Sequence, residues 1–514
     1  MTEMIGKTYK SRLKNSRRNV VSGFVKQIVA IILTFIIRTT IIFSLGAEYQ
    51  GLSSLFTSIL HALNLTELGF SAAVTYVLYK PIAEEDYATI CSILAFLKKT
   101  YRIIGAIILL IGLMIMPFLK LLIKGDYPHD INIYVLYLLF LANSVVSYLV
   151  FAEKNTFLTA MQRVDIVSKA YTVANIAGKI LQVLALIVIR NFYVYVVMII
   201  IASIANNILV EILSRKSYPN IKAYGNIPDG VKTELIKHVK AVFLNKIGDA
   251  ARNSFDNSII SSFIGLAAVT AYDNYYYVFA SIYGVMGMIV HSVRASIGNS
   301  LVNESVDKNY KDLLSFSFIF MWIVGWCTIS MFVLYQPFMY IWMKGDEELI
   351  LCFRDMALFC LYFYTISMAY TKNAYLESEG LFFESRWLYV LEAVGNLVLN
   401  IVLCHLLGTT GILIATIFTI FIFNFAGGTG VLFKYYFKRK PNKFTLHHLF
   451  YFFITVFGGL LTYAVSEYIT VGGIYGLFLK AVLCLFLPNI IYLLCYFKFS
   501  EFSNIKRIVG LLIR

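Results

Sequence analysis

The sequence predicts an all-α polytopic membrane protein of about 14 transmembrane helices, and three observations lead there. Of its 514 residues, 59% are apolar and only 14% are charged. A soluble domain has about 45–50% apolar and about 25% charged residues. The apolar residues form long unbroken segments, as from Ile103 to Ile123, and one membrane helix takes about 20 of them. The lysines and arginines gather in alternate connections between those segments. This balance, with a mean hydropathy of +0.74, excludes a soluble enzyme, a disordered chain and a secreted disulfide scaffold. It also argues against an outer-membrane barrel, whose strands alternate polar and apolar.

In chain order, spans are expected near 20–44, 51–77, 89–118, 131–151, 166–189 and 193–213. A second set falls near 241–265, 271–299, 313–338, 351–371, 387–406 and 412–433, and a last pair near 445–466 and 474–497. Pro81, Pro128, Pro219, Pro228 and Pro441 mark connections. Pro488 lies inside the last span and should kink it. This divides the chain into an N-terminal lobe (1–225), a C-terminal lobe (226–440) and a final helix pair (441–514).

Orientation follows from the loop cations. With the N-terminus inside, the cytoplasmic segments hold 28 basic residues and the outer loops hold 4: Lys120, Lys124, Arg190 and Lys344. An N-in, C-in chain with an even number of spans is therefore expected. The net charge of +15 is mainly this topology signal, with attraction to anionic inner-leaflet lipid as a by-product. It does not indicate nucleic acid. The seven cysteines show no CxxC spacing and lie mostly in apolar segments, as small packed hydrophobes. The N-terminus lacks a small-residue cleavage site, so the first helix should act as an uncleaved insertion signal. External loops are about a dozen residues at most, too short for an extramembrane domain. Function must reside among the helices.

Twelve basic residues remain inside the spans. A charge at the bilayer centre costs about 2.5–3.5 kcal/mol on insertion scales, so it should face a partner or a wet cavity. Lys98, Lys99, Lys169 and Arg354 lie near span ends and can snorkel. Arg38, Lys179, Arg252 and Arg294 cannot be dismissed in that way. The seventh span is the least lipid-like: Asn245, Asp249, Arg252 and Asp256 recur on one helical face. Asp249 and Asp256 can both pair with Arg252. Such a face is either a self-neutralising ladder or the lining of a polar cavity. The first span carries a weaker stripe of Gln27, Thr34 and Arg38, with Lys26 near its inner end, and Asn64 and Glu67 share a face of the second. On position, Arg38, Arg252, Lys26, Lys246 and Arg294 are the candidates for binding an anionic substrate. Asp249, Asp256 and Glu67 are the candidates for coupling to a sodium or proton gradient. His291 is either proton-responsive or a packing histidine. No cofactor is expected, and no metal-ligand cluster, nucleophile elbow or phosphate-cradling glycine loop occurs.

The two six-helix halves are related by an offset of 219, which aligns Phe24 with Phe243, Gln27 with Lys246 and Gly46 with Gly265. After a short insertion, Tyr87 meets Tyr310. Both halves start on the same side, so the repeat is parallel, and substrate should bind where the halves meet and move by alternating access.

The stretch Leu45-Gly46-Ala47-Glu48-Tyr49-Gln50-Gly51-Leu52-Ser53-Ser54-Leu55-Phe56, then Leu63-Asn64-Leu65-Thr66-Glu67-Leu68-Gly69-Phe70-Ser71-Ala72-Ala73 and Leu78-Tyr79-Lys80-Pro81, resembles the Wzx-type polysaccharide flippases. These belong to the multidrug/oligosaccharidyl-lipid/polysaccharide exporter superfamily. The motif covers the first two helices; the rest of the chain matches through six-plus-six helices and an added pair. The resemblance implies a bacterial cytoplasmic-membrane transporter. It would flip undecaprenyl-pyrophosphate-linked oligosaccharide units for capsule, exopolysaccharide or O-antigen-type synthesis. Membrane lipid, and the polymerase and glycosyltransferases of that pathway, are its implied partners. By resemblance, the final pair helps form a groove for the polyprenyl tail. A cation-coupled multidrug exporter of the same superfamily is the competing function. An enzyme is disfavoured because no sizeable external loop could carry catalytic groups.

Overall fold

A computed structural model describes the backbone of residues 2–64 and 70–502 except 498 and 500. The side chains of residues 2–22, 72, 237, 240–254 and 295 lie outside that description. Everything described is helix or connection, with no strand. Contacts divide the chain into two units, Met1–Leu266 and Ala267–Arg514.

The first unit contains α1 (Thr2–Ser44), α2 (Ala47–Leu63), α3 (Phe70–Ala83), α4 (Tyr87–Ile115, continuing as tighter turns to Leu122), α5 (Ile133–Leu149), α6 (Ala152–Ala160), α7 (Val164–Leu184), α8 (Phe192–Ser217) and α9 (Asp229–Phe263). Helix α7 packs on both α8 and α1, α4 and α8 flank α5, and α9 lies along α2 and α3. The second unit holds α10 (Leu266–Asn303), α11 (Val306–Trp342), α12 (Phe353–Met368), α13 (Tyr370–Ser378), α14 (Phe382–Leu407), α15 (Thr409–Thr419), α16 (Gly428–Leu432), α17 (Asn442–Ser466) and α18 (Gly473–Tyr496). Here α14 pairs with α15, and α11 is the post against which α12, α17 and α18 pack. Division by packing at 266 and division by repeat at 226 are different cuts. Helix α9 is the seventh span of the repeat, yet it packs inside the first unit.

Among the described residues, eleven helices are long and apolar enough to cross a membrane, or twelve if α5 and α6, bent by 48° at their break, form one span. The chain is a multi-pass membrane protein. Two expected spans fall short of that criterion. In the second, residues 65–69 between α2 and α3, of 17 and 14 residues, lie outside the described residues. The seventh is α9, whose polar face dilutes its apolar content.

Corner geometry repeats with the sequence. Leu45 N–H and Gly46 N–H both donate to the Ile41 carbonyl, at 2.9 and 3.2 Å. At an offset of 219, Ile264 N–H and Gly265 N–H both donate to the Ile260 carbonyl, at 2.8 and 3.1 Å. Gly46 has φ +130° and Gly265 +136°, a region that only glycine enters freely. Helix α4 starts at 87 and α11 at 306, so the 219 offset persists there without the insertion that a Tyr87–Tyr310 match would need.

Pro488 lies within the continuous helix α18, and the carbonyl it leaves without a helical donor has another partner. Proline lacks the N–H that would reach the carbonyl of Cys484, and the indole Nε1–H of Trp326 donates to that carbonyl instead at 2.8 Å. One turn away, Trp322 Nε1–H donates to Asn489 Oδ1 at 2.8 Å, and Asn489 Nδ2 donates to the Leu485 carbonyl at 2.9 Å. Two tryptophans four residues apart on α11 thus match the interruption in α18.

Candidate functional site

In the first unit the candidate cations come from α1 and its neighbour α7. Lys26 Nζ lies 4.2 Å from the centre of the Tyr171 ring on α7, a cation–π contact that holds an ammonium in a poorly hydrated place. Twelve residues on, about 18 Å along the helix, Arg38 lies within electrostatic reach of Lys179 on α7 and Tyr195 on α8. Arg38 and Lys179 are both half-buried. Both are partly withdrawn from water, Arg38 has a further interaction besides, and an excess of positive charge in such a place favours a neighbouring anion.

Helix α2 presents a buried polar row beside this cluster. Gln50, Ser53, Ser54 and Ser58 are all buried, with Gln50 Nε2 donating to Ser54 Oγ at 3.0 Å. The row continues onto α9 through Asn257 Nδ2, which donates to Ser58 Oγ at 2.9 Å. Asp256, next to Asn257, is buried and engaged. Residues 245, 249, 252 and 256 keep one helical register within the continuous helix α9. The side chains of Lys246, Asp249 and Arg252 lie outside the described residues, and Glu67 lies outside them entirely.

In the second unit, Arg294 donates to Glu377 Oε2 on α13 at 2.6 Å. Its charge is thus engaged by a carboxylate of its own unit. His291 is on the exposed side of α10. The run Tyr275-Tyr276-Tyr277 on α10 divides, since consecutive helical residues point in different directions. Tyr275 is fully buried and donates to Gln336 Oε1 at 2.8 Å, whereas Tyr276 and Tyr277 are half-buried.

Two features escaped the sequence reading. Lys154 and Lys372 count as cytoplasmic loop residues there, but they sit in α6 and α13 with only 4% and 1% exposure. Lys154 Nζ pairs with Glu211 Oε2 at 3.6 Å and donates to the Ile221 carbonyl at 3.3 Å. Lys372 Nζ donates to Asn424 Oδ1 at 3.2 Å, an asparagine turned inward by a stretch of π-helix over 420–427. The recurrence of Lys-Asn-x-aromatic-Leu at 154–158 and 372–376 is the signal that could have found them. The second feature is a ladder on α14: Glu392, Asn396 and Asn400 are all buried at one-turn spacing. Asn400 Nδ2 donates to Asn396 Oδ1 at 3.1 Å, and Asn396 Nδ2 donates to Thr416 Oγ1 at 3.1 Å. Oxygen-rich interiors of this kind suit a hard cation or a proton. Among the described residues, no group of three or more His, Cys, Asp or Glu side chains is placed to hold a metal ion.

Two adjoining apolar clefts of about 280 and about 270 Å³ run between α12 and α17 and share Leu361, Tyr364 and Phe452. The first is floored by Gly459 and Cys360, and the second ends at His448 and Phe425.

A lipid II flippase, MurJ, in an inward closed conformation is similar to this chain over 93% of its length and 98% of MurJ, with TM-score 0.69 and 13% identity. The chain has the fold of these transporters. An inward-facing multidrug resistance MATE family transporter of the MOP superfamily matches over 79% of this chain and 94% of its own, with TM-score 0.64 and 12% identity. A MOP superfamily transporter from Pyrococcus furiosus, described as having a binding pocket of reversed polarity, matches over 82% and 96%, with TM-score 0.58 and 12% identity. No protein-family model and no curated protein sequence matches the chain.

Proposed function

We propose that the protein is a transporter that flips undecaprenyl-pyrophosphate-linked oligosaccharide units across the bacterial cytoplasmic membrane by alternating access. The observation that carries this reading is the cationic cluster on α1 and α7: Lys26 over Tyr171, with Arg38 in the field of Lys179. A diphosphate is the substrate group that such a pair of like charges would bind, by charge-assisted hydrogen bonds in place of water. Arg252 and Lys246 extend the cationic set from α9. Arg294 acts through its pair with Glu377, exchanging one anion for another as the substrate passes. The serine and asparagine row on α2 and α9 offers hydrogen bonds to a sugar. The apolar clefts along α17 support a role for the final pair in holding the polyprenyl tail, and the likeness in fold to a lipid flippase agrees. Coupling to sodium or protons falls to Asp249, Asp256 and Glu67, with Glu392 on α14 as an additional carboxylate. The 14-span, N-in, C-in arrangement and the division at 225 and 440 belong to the same reading. So do partnership with a polymerase and glycosyltransferases, and a transporter's lack of catalytic groups.

The decisive experiment is reconstitution into liposomes with a defined lipid-linked oligosaccharide, with leaflet accessibility measured with and without sodium and proton gradients. Movement of the lipid that disappears in the Arg38→Ala plus Arg252→Ala variant supports the reading. Cation-driven movement of a lipophilic cation, with the oligosaccharide lipid static, would establish the multidrug alternative.

A further inference from the structure

Lys124, in the turn that follows α4, caps the end of α9. The last carbonyls of a helix have no partner within it. Lys124 supplies two: its backbone N–H donates to the Ser261 carbonyl at 2.9 Å, and its Nζ donates to the Phe263 carbonyl at 2.6 Å. The ammonium also sits at the negative end of the helix dipole. Gly265 follows at φ +136°, and a Cβ there would lie 3.2 Å from the Lys124 carbonyl oxygen. The same end of α9 is zipped to α2. A Cβ on Gly51 would lie 2.4 Å from the Leu266 carbonyl oxygen, and Ser58 is bonded to Asn257 one to two turns deeper. Small residues are what allow helices in a membrane to approach so closely.

Two further facts suit a contact that opens. Lys124 is exposed, so water can take over its bonds when the helices part. The turn also belongs to the repeated unit: Lys124-Gly125-Asp126 recurs as Lys344-Gly345-Asp346, and Gly125 and Gly345 share φ values of +83° and +78°. At the far end of α9, by contrast, the contact is a ring pair, Tyr76 with His238 at 4.6 Å.

We propose that Lys124 is the outer latch of the transport cycle. It caps α9 while the outer face is closed and releases it when α9 separates from α2. The proposal rests on the alternating-access reading and on the N-in orientation, which puts this turn outside.

The test uses the full chain with its seven native cysteines replaced and a reporter Ser54→Cys, a buried position on the zipped face of α2. Labelling with a membrane-impermeant maleimide is followed in intact cells and after permeabilisation. Lys124→Ala should raise the rate from outside by about five-fold or more, the response to weakening the closed state by roughly 1 kcal/mol. Lys124→Arg should restore it. An unchanged rate, or a rise seen only after permeabilisation, overturns the proposal. A second arm adds an oxidised Ser58→Cys, Asn257→Cys pair to the Lys124→Ala reporter. The cross-link should return labelling from outside to the native rate, and labelling that stays fast overturns the latch. Labelling needs no substrate. A labelling response without movement of any oligosaccharide lipid therefore leaves the latch standing and removes the substrate reading instead.

Discussion

Replacing Trp326 with Phe removes one donor and little else. The Cys484 carbonyl, 2% exposed by its residue, accepts from Trp326 because Pro488 cannot donate to it. In the hydrocarbon region no water can substitute. A buried acceptor left without a partner costs about 1–3 kcal/mol. Spread over the whole chain, this is a poor thermal signal. Unfolding entropy near 2.1 cal/mol/K per residue puts a 514-residue chain at only about 1 °C per kcal/mol. The readout should be local: amide hydrogen exchange in α18 should quicken by about 5- to 140-fold around residues 484–492. The mechanism is isolated by a cycle with Pro488→Ala, which restores an N–H to the Cys484 carbonyl. In that background Trp326→Phe should cost at least about 1 kcal/mol less. Equal costs in the two backgrounds would refute the account and reduce Trp326 to a packing residue.

Other consequences are direct. Gly51→Val pushes α2 off the corner that follows α9, because even its first carbon meets the Leu266 carbonyl oxygen at 2.4 Å. Overpacking of this kind costs about 1–3 kcal/mol, and oxidative cross-linking of cysteines at 58 and 257 should slow with it. Glu211→Ala should destabilise more than Lys154→Met, since Glu211 serves both Lys154 and Arg215. Losing the shared carboxylate strands a buried ammonium at about 3–5 kcal/mol, measurable as loss of folded protein against detergent or heat. Arg38→Lys should keep more flipping than Arg38→Ala if charge suffices, and no more if paired guanidinium hydrogen bonds are needed; initial rates in liposomes decide.

The helices were legible because bilayer thickness converts directly into runs of apolar residues, and most spans coincide with helices within a few residues. Pro488 was legible as a gap in the hydrogen-bond ladder of α18, since the missing N–H is a property of one residue. The partner at Trp326 was not, because α11 and α18 meet only in the fold. The same limit applied to charge. Lys154 and Lys372 read as loop cations by position in the chain, yet both are buried, Lys154 against Glu211 of α8 and Lys372 against Asn424 between α15 and α16. Of the expected substrate cations, Lys26 lies over the Tyr171 ring and Arg38 within electrostatic reach of Lys179, whereas Arg294 meets Glu377, 83 residues away in the chain.

The sequence by itself thus determined membrane class, most span positions and the glycine corners that recur at an offset of 219, since each depends on composition or on neighbours within about one helical turn. Tertiary structure alone decided which charges are paired, that α9 packs with α2 and α3, and that Lys124 caps it. Those facts depend on distances between residues far apart in the chain, and no local pattern encodes such distances.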